Sequence, residues 1–456
     1  MKQHSITKLI VPVIFFTILF IFYSVIGITH FSLNADLSRD LSELSNLWVG
    51  KIVWLGPLLR VGFPASPLYF YLLFPGLIIS GGSAYSLVIT QVIMSVAALA
   101  TYLVSQKKSF QLGNYLGICF IGLSHFWIQS TIRPWNGNMY ILWLLPALIL
   151  LWYKKPLWLS SLLFGVAIAI HPASLLVLPV LLYEGFIYKS KNLVTKILSI
   201  FSGLIIPWAP IVVFEILTKG FLTREWLLHK STEMTIQPGI QNLSNLGTQT
   251  GIPILLLIFT LVYSIVTSSK KVKQWYLLLL PAVLFLLVIS PLQLYYLLPV
   301  TIMGFFLLIQ SLKERKLGKI ILALCILIFV NNVFNAYSFK PNWPPNNRLE
   351  HISQVIDSLI DNNEIQKNST YALISVIDSQ NSTPQADDYR FLLRTKGYQA
   401  LNINEYPQAD NLFIFFENGQ IEPEKWHDWH SEYFGEKILV DSKNIDTIQV
   451  VTYKKK

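Results

Sequence analysis

Residues 9–29 read LIVPVIFFTILFIFYSVIGIT, without one charged side chain. A run of about 18 or more apolar residues is long enough to cross a bilayer as a helix. Further apolar runs fall at about 84–105, 112–130, 138–153, 157–171, 173–188, 197–217, 252–268, 275–290, 292–311 and 319–337. Only 13% of the residues are charged, against roughly a quarter in soluble domains. The chain therefore reads as a polytopic α-helical membrane protein of about eleven transmembrane helices. Lys2 and Lys8 precede the first run, which is too long for the apolar part of a cleaved signal and reads as an uncleaved first helix. Cys119 and Cys325 lie inside apolar runs and suggest no disulfide framework.

One run is different. Residues 67–80, within SPLYFYLLFPGLIIS, are short, aromatic and bounded by Gly81 and Gly82. They read as interfacial or re-entrant. Leaving them out places KK at 107–108 and 154–155, KSK at 189–191 with Lys196, KKVK at 270–273 and KERKLGK at 313–319 on one side. With the N-terminus these hold 16 of the 23 basic residues before position 338. The positive-inside rule makes that side cytoplasmic. The N-terminus is then cytoplasmic, and the protein sits in the plasma membrane.

Charge also divides the chain. From Ser338 onward there are 12 basic and 17 acidic residues, against 23 and 8 before it. Residues 1–337 thus form a basic membrane domain, and 338–456 an extracytoplasmic soluble domain. The basic excess lies in short membrane loops, so nucleic acid is not an expected partner. In the soluble part, RLEHISQVIDSLI reads as an amphipathic helix, and YALISVI and NLFIFF as strands. DDYRFLLRTKG reads as a helix ending at Gly397, and KILVDS and TIQVVTY as further strands. This is a small α/β domain. WHDWH at 426–430 reads as a surface aromatic turn.

The outer face carries outer loops 30–83 and 218–251, RPWNGN at 133–138, the turn at His171 and PLQLYY at 291–296. Four of the five arginines before the soluble domain lie there: Arg39, Arg60, Arg133 and Arg224. The cytoplasmic side has fifteen lysines and one arginine. Arginine is the better fork for phosphate or carboxylate, so an anionic group is expected on the outer face. Directly after the first helix comes NADLSRD, residues 34–40. Asn34 or Asp36 could cap a short helix, with Arg39 and Asp40 as solvated charges. Alternatively, Asp36 is a base for an acceptor hydroxyl, kept ionised by Arg39.

Several landmarks follow in order. They are Asp36-Leu37-Ser38-Arg39-Asp40, a Gly-Pro, SPLYFYLLFP, Trp135-Asn136-Gly137-Asn138, GVAIAIHPASLLVLP with His171, PWAPIVVFE ending in Glu215, and a late Tyr-Tyr-x-x-Pro. Over residues 9–310 this order resembles the GT-C glycosyltransferases, which include protein O-mannosyltransferases and lipid A aminoarabinose transferases. The nearest likeness is to a bacterial group of such enzymes. The resemblance implies a polyprenyl-phosphate sugar as donor and transfer on the extracytoplasmic face with inversion. The acceptor would be a lipid, glycan or protein, within membrane lipid. Asp36 matches the family's acidic base, and Asp40 and Arg39 would shape its site. Arg60, Arg133, Arg224, His229 and Lys230 are candidates for the leaving phosphate. A divalent metal is left open, and no other cofactor is implied. The chain departs from the pattern at Leu37, where relatives carry glutamate, and at Ala65-Ser66, where the aminoarabinose enzymes carry Glu-Lys. It departs again at Gly137, where relatives carry proline.

Each candidate also has a plain structural reading. His171 could be a hydrogen-bonded helix end, Glu215 a solvated acid at the boundary, and Trp135 a belt aromatic. Asn136 and Asn138 could cap the next helix. Tyr69 and Tyr71 could line a lipid groove or anchor the interfacial run. The rival functions are a transporter or flippase, a surface-polysaccharide polymerase or ligase, and a scaffold. A transporter would want ionisable residues in mid-membrane and paired broken helices, and the charges here sit at helix ends.

Overall fold

The computed structural model describes residues 2–59, 62–106, 111–187, 192–228, 250–288, 294–337, 347–376, 386–417 and 429–456. In chain order the first helices are α1 (Lys2–Thr29), α2 (Ala35–Trp48), α3 (Leu68–Ile79), α4 (Ser86–Ser105), α5 (Leu112–Gly122), α6 (His125–Ile132) and α7 (Asn136–Met139). Then come α8 (Ile141–Trp152), α9 (Leu157–Ile170), α10 (Leu178–Ile187), α11 (Leu193–Ile205), α12 (Ala209–Leu217) and α13 (Phe221–Leu228). The last are α14 (Ile254–Thr267), α15 (Lys270–Val288), α16 (Leu298–Leu312), α17 (Lys316–Ala336), α18 (Asn347–Asp361), α19 (Asp387–Thr395) and α20 (Trp429–Tyr433).

The chain divides into two compact units. One holds Met1–Phe31, Trp54–Leu73 and Leu87–Pro341; the other holds Ser32–Val53, Phe74–Ser86 and Asn342–Lys456. Residues 30–83, read from sequence as an outer loop of the membrane domain, are divided between the two units.

The first unit is helical. Its most enclosed helix is α16, packed against α5, α8, α14, α15 and α17. Met303, Phe305, Phe306 and Leu308 are all fully buried along it. Elsewhere the apolar side chains face outward: Ile10, Val13, Ile14, Ile18 and Ile21 on α1, and Leu198, Phe201 and Ile205 on α11. Apolar surface of that extent is incompatible with water and fits lipid. Helices α9 and α11 cross at Gly165 and Gly203. A Cβ on Gly203 would lie 2.6 Å from the Leu162 nitrogen, so only glycine allows this approach.

The protein is a multi-pass membrane protein. Among the described residues, five stretches are long and apolar enough to cross: Ile10–Thr29, Ser86–Ser105, Leu193–Leu217, Tyr295–Leu312 and Lys316–Ala336. A sixth arises if α5 and α6, bent by 64°, count as one span. Eleven spans are not established by these lengths. Helices such as α9, with 14 residues, reach about 21 Å, short of a hydrocarbon core of roughly 30 Å. The shortening has a local cause: α9 stops at His171 because Pro172 follows. Helix α3 has 12 residues, too few to span.

The second unit contains a five-stranded sheet in the order β2-β1-β3-β5-β4, with β1 (Thr370–Val376), β2 (Gln399–Ala400), β3 (Asn411–Phe416), β4 (Lys437–Ile445) and β5 (Ile448–Lys455). Strand β1 runs parallel to β2 and β3, while β3–β5 and β5–β4 are antiparallel. Both faces of β1 and β3 are covered, while the edge strand β4 is largely exposed. Tyr371, Leu373, Phe413 and Phe415 pack with α18 and α19, while Ala372, Ile374, Leu412 and Ile414 point to the other side with Tyr406 and Phe434. That two-sided burial is why β1 and β3 are continuously apolar in sequence. Helix α19 ends before Gly397, whose φ is +86°, as the sequence pattern predicts. Of the WHDWH segment, residues 426–428 lie outside the described residues. Trp429 is exposed and stacks on a buried His430, with ring centroids 3.6 Å apart.

Candidate active site

The acidic motif forms the first turns of α2. Asn34 is the cap: its side chain accepts the Leu37 N–H at 2.8 Å. Asp36 sits in the first turn, where a carboxylate favours the helix dipole, and half of its side chain is exposed. The Arg39 guanidinium joins the two acids. Its Nη1 donates to Asp36 Oδ1 at 3.0 Å, and its Nε and Nη2 both donate to Asp40 Oδ1, at 3.0 and 2.8 Å. Asp40 is fully buried. The three residues therefore differ in kind: Asp40 anchors Arg39, Arg39 orients Asp36, and Asp36 faces outward.

The second group is in the helical unit. Trp135 precedes α7, and its ring meets Tyr295 edge-on at 4.9 Å. His171, buried at the end of α9, stacks on Tyr140 at 5.3 Å and meets Tyr295 and Tyr296 edge-on at 4.9 and 5.4 Å. Its Nδ1 accepts the Ala173 N–H at 3.2 Å, which puts any ring proton of the neutral form on Nε2. The Tyr140 hydroxyl donates to the Tyr295 carbonyl at 2.6 Å. Asn136 is buried and Asn138 half-buried in the same short helix. Gly137 has a packing reason. A Cβ there would lie 2.7 Å from the Trp135 ring, which folds back over it.

The start of α3 is pinned in the same unit. Ser66 donates its N–H to Ala169 and its hydroxyl to Pro207, both at 2.9 Å. Tyr69 is then buried and Tyr71 exposed. Arg133 and Arg224 are exposed. Glu215 is committed to the next helix. It accepts the Leu222 N–H at 2.7 Å and the Thr223 hydroxyl at 2.6 Å, capping α13. Arg60, His229 and Lys230 lie outside the described residues. Among the described residues no three His, Cys, Asp or Glu side chains gather as a metal site, so the donor set gives no basis for a step through a divalent metal.

Two sets of residues were not singled out as site residues from sequence. Tyr140, Tyr295 and Tyr296 are one; the signal for the last two was the late Tyr-Tyr-x-x-Pro, and Tyr140 lies two residues past the Trp135–Asn138 turn. The other is Arg390 and Arg394 of α19, which bond to α2 within the second unit. Their only signal was a pair of arginines four residues apart.

No family model matches the chain, and no curated protein matches it. A solved structure does. The crystal structure of ArnT from Cupriavidus metallidurans bound to undecaprenyl phosphate superimposes with a TM-score of 0.60, over 98% of each chain and at 9% identity. ArnT is a lipid A aminoarabinose transferase with the GT-C fold. The chain has the GT-C fold. A second match, the apo oligosaccharyltransferase from Archaeoglobus fulgidus, has a TM-score of 0.44 at 12% identity, over 84% of this chain and 64% of that one. The likeness to ArnT takes in the sheet-containing unit as well as the helices, because it covers 98% of the chain.

Proposed function

We propose that this chain is an integral membrane glycosyltransferase, a hexosyl- or pentosyltransferase. It moves a sugar from a polyprenyl-phosphate donor to a lipid, glycan or protein acceptor on the extracytoplasmic face, with inversion. The observation that carries this reading is the GT-C fold over the whole length, shared with a transferase solved with undecaprenyl phosphate. The exposed, arginine-oriented carboxylate of Asp36 supports it further.

The reaction is a single displacement. Asp36 takes the proton from the acceptor hydroxyl as that oxygen attacks the anomeric carbon. The bond from that carbon to the phosphate oxygen breaks, and polyprenyl phosphate leaves with the electron pair. Attack opposite the leaving group inverts the centre. A cation beside the departing phosphate lowers the barrier, and Arg133, Arg224, Arg60, His229 and Lys230 are the candidates. Arg39 is poorly suited to that task, since Asp36 and Asp40 already occupy it. Trp135, Tyr295 and Tyr296, each partly exposed, offer flat apolar faces on which a sugar ring can rest, with buried Tyr140 and His171 packed behind them. The soluble domain lies outside the membrane and the N-terminus in the cytoplasm.

The test compares wild type with Asp36→Asn, using radiolabelled polyprenyl-phosphate sugars and membrane extract. Asparagine keeps the shape and cannot take the proton, so kcat should fall about 10²- to 10⁴-fold with donor KM little changed. Transfer that survives at the wild-type rate would remove Asp36 from the base role.

A further inference from the structure

The acidic helix α2 belongs to the same compact unit as the soluble domain, although some three hundred residues separate them in sequence. The contact is made by polar groups in an ordered series. Ser38, Ser42 and Ser45 recur on one stripe of α2 at helical spacing, and with Asn46 they are exposed by 9% or less. Serines on a solvated face would not be buried in this way. Facing them on α19 are Arg390 and Arg394, each 2% exposed and one turn apart.

Each guanidinium is tied on two sides. Arg394 donates through Nε to the Ala400 carbonyl at 2.7 Å and through Nη2 to Asn402 at 2.9 Å, both in its own domain. Its Nη1 reaches α2, to Ser45 at 3.1 Å and Asn46 at 2.8 Å. Arg390 repeats the scheme. It holds the Leu401 carbonyl at 2.8 Å and the Tyr406 hydroxyl at 2.9 Å, and reaches Ser42 at 3.3 Å, but unlike Arg394 it also pairs with a carboxylate, that of Asp387 on its own helix. Every acceptor of Arg394 is an uncharged oxygen. A buried cation with no carboxylate against it is a poor source of stability compared with apolar packing. What a planar, five-donor fork supplies is fixed geometry. Lys51, just past the end of α2, adds an ion pair to Glu405 at 2.9 Å.

We propose that Arg390 and Arg394 are positioning residues: they set the rotation and register of α2, and through it the direction of the Asp36 carboxylate. Slipping α2 by one residue would turn Asp36 by about 100° about the helix axis. The soluble domain is then part of the catalytic apparatus. The catalytic consequence rests on the transferase reading; the clasp itself does not.

The test is hydrogen exchange on the full-length protein in detergent, with Arg394→Gln, Asn46→Ala and the double variant. Arg394→Gln should speed exchange of the amides of residues 38–47 by roughly ten- to a hundredfold, the loss of hydrogen bonds from a charged donor. Strands β1, β3 and β5 should stay protected. Asn46→Ala should act in the same direction, and the double variant should add little, because both remove one contact. Arg394→Lys should restore part of the protection. In transfer assays with radiolabelled undecaprenyl-phosphate sugars, both single variants should lose kcat while donor KM holds. Unchanged α2 exchange in Arg394→Gln, or effects that sum independently, would overturn the clasp. If Arg394→Gln fails to fold, Asn46→Ala alone decides, by the same exchange readout. Wild type that transfers no sugar while α2 exchange responds would sink the transferase reading and leave the clasp standing.

Discussion

Asp36, Arg39 and Asp40 lie within five positions and do three different things. A buried carboxylate on the next turn from an exposed one is an arrangement for holding a cation, and Arg39 spends three of its N–H groups on it. Asp40→Asn should therefore reduce kcat through a misdirected Asp36, by less than Asp36→Asn does, with the pH dependence of kcat shifted as Arg39 is redistributed. Kinetic pH profiles of the two variants check this. At Gly137 the Trp135 ring leaves no room for a methyl group. Gly137→Ala should cost about 1–3 kcal/mol by overpacking, read as a lowered unfolding temperature in detergent. The glycine that departs from the family pattern is thus accounted for by its own tryptophan. Glu215 shows the opposite case. The family likeness offered it as a site residue and its boundary position as a solvated acid; the structure shows its carboxylate capping α13, which sequence spacing alone does not display.

Local elements were the legible part of the sequence. Periodicity located α18 and α19, and apolar runs located β1 and β3, because burial on one or both faces writes directly into residue pattern. Two-residue β2 has too few positions to carry a pattern. The attachment of α2 to α19 was invisible for another reason: it depends on long-range hydrogen bonds between serines and arginines, each ordinary in its own segment. The stripe Ser38–Ser42–Ser45 alone could have signalled it, since serine at helical spacing has little to offer a solvated face. One contact of this element titrates. Burial alone would raise Glu405, but the Asn402 N–H and the Lys51 ammonium outweigh it and hold the carboxyl below its ordinary value of 4.5. A depressed acid stabilises the fold above the ordinary value, and that contribution is lost as pH falls through the lowered one. Protection of the last turn of α2 should therefore weaken as pH falls below about 4.5, by less than about 1 kcal/mol for so exposed a pair. Glu405→Gln should abolish this dependence, and exchange measured across pH would show it.

On the scale of the whole molecule, a lipid-facing helical unit is combined with a sheet unit that also contains the first acidic helix. Length and charge made the membrane class legible, and the order of weak motifs made the GT-C fold legible. The number of spans was not, because prolines such as Pro172 end apolar helices short of a bilayer's thickness. The proposed topology predicts that single cysteines at Ser190 and Ser369 react with an impermeant reagent from opposite sides of sealed vesicles. Labelling from the same side would invert or break that topology. The central claim is sugar transfer from a polyprenyl phosphate. Its most direct test is purified wild-type protein with radiolabelled undecaprenyl-phosphate sugars and membrane extract, following label and free undecaprenyl phosphate together. The account predicts that one donor loses its sugar to the extract and releases undecaprenyl phosphate in equal amount. Donor carried intact across a liposome membrane, with no phosphate released, would contradict it.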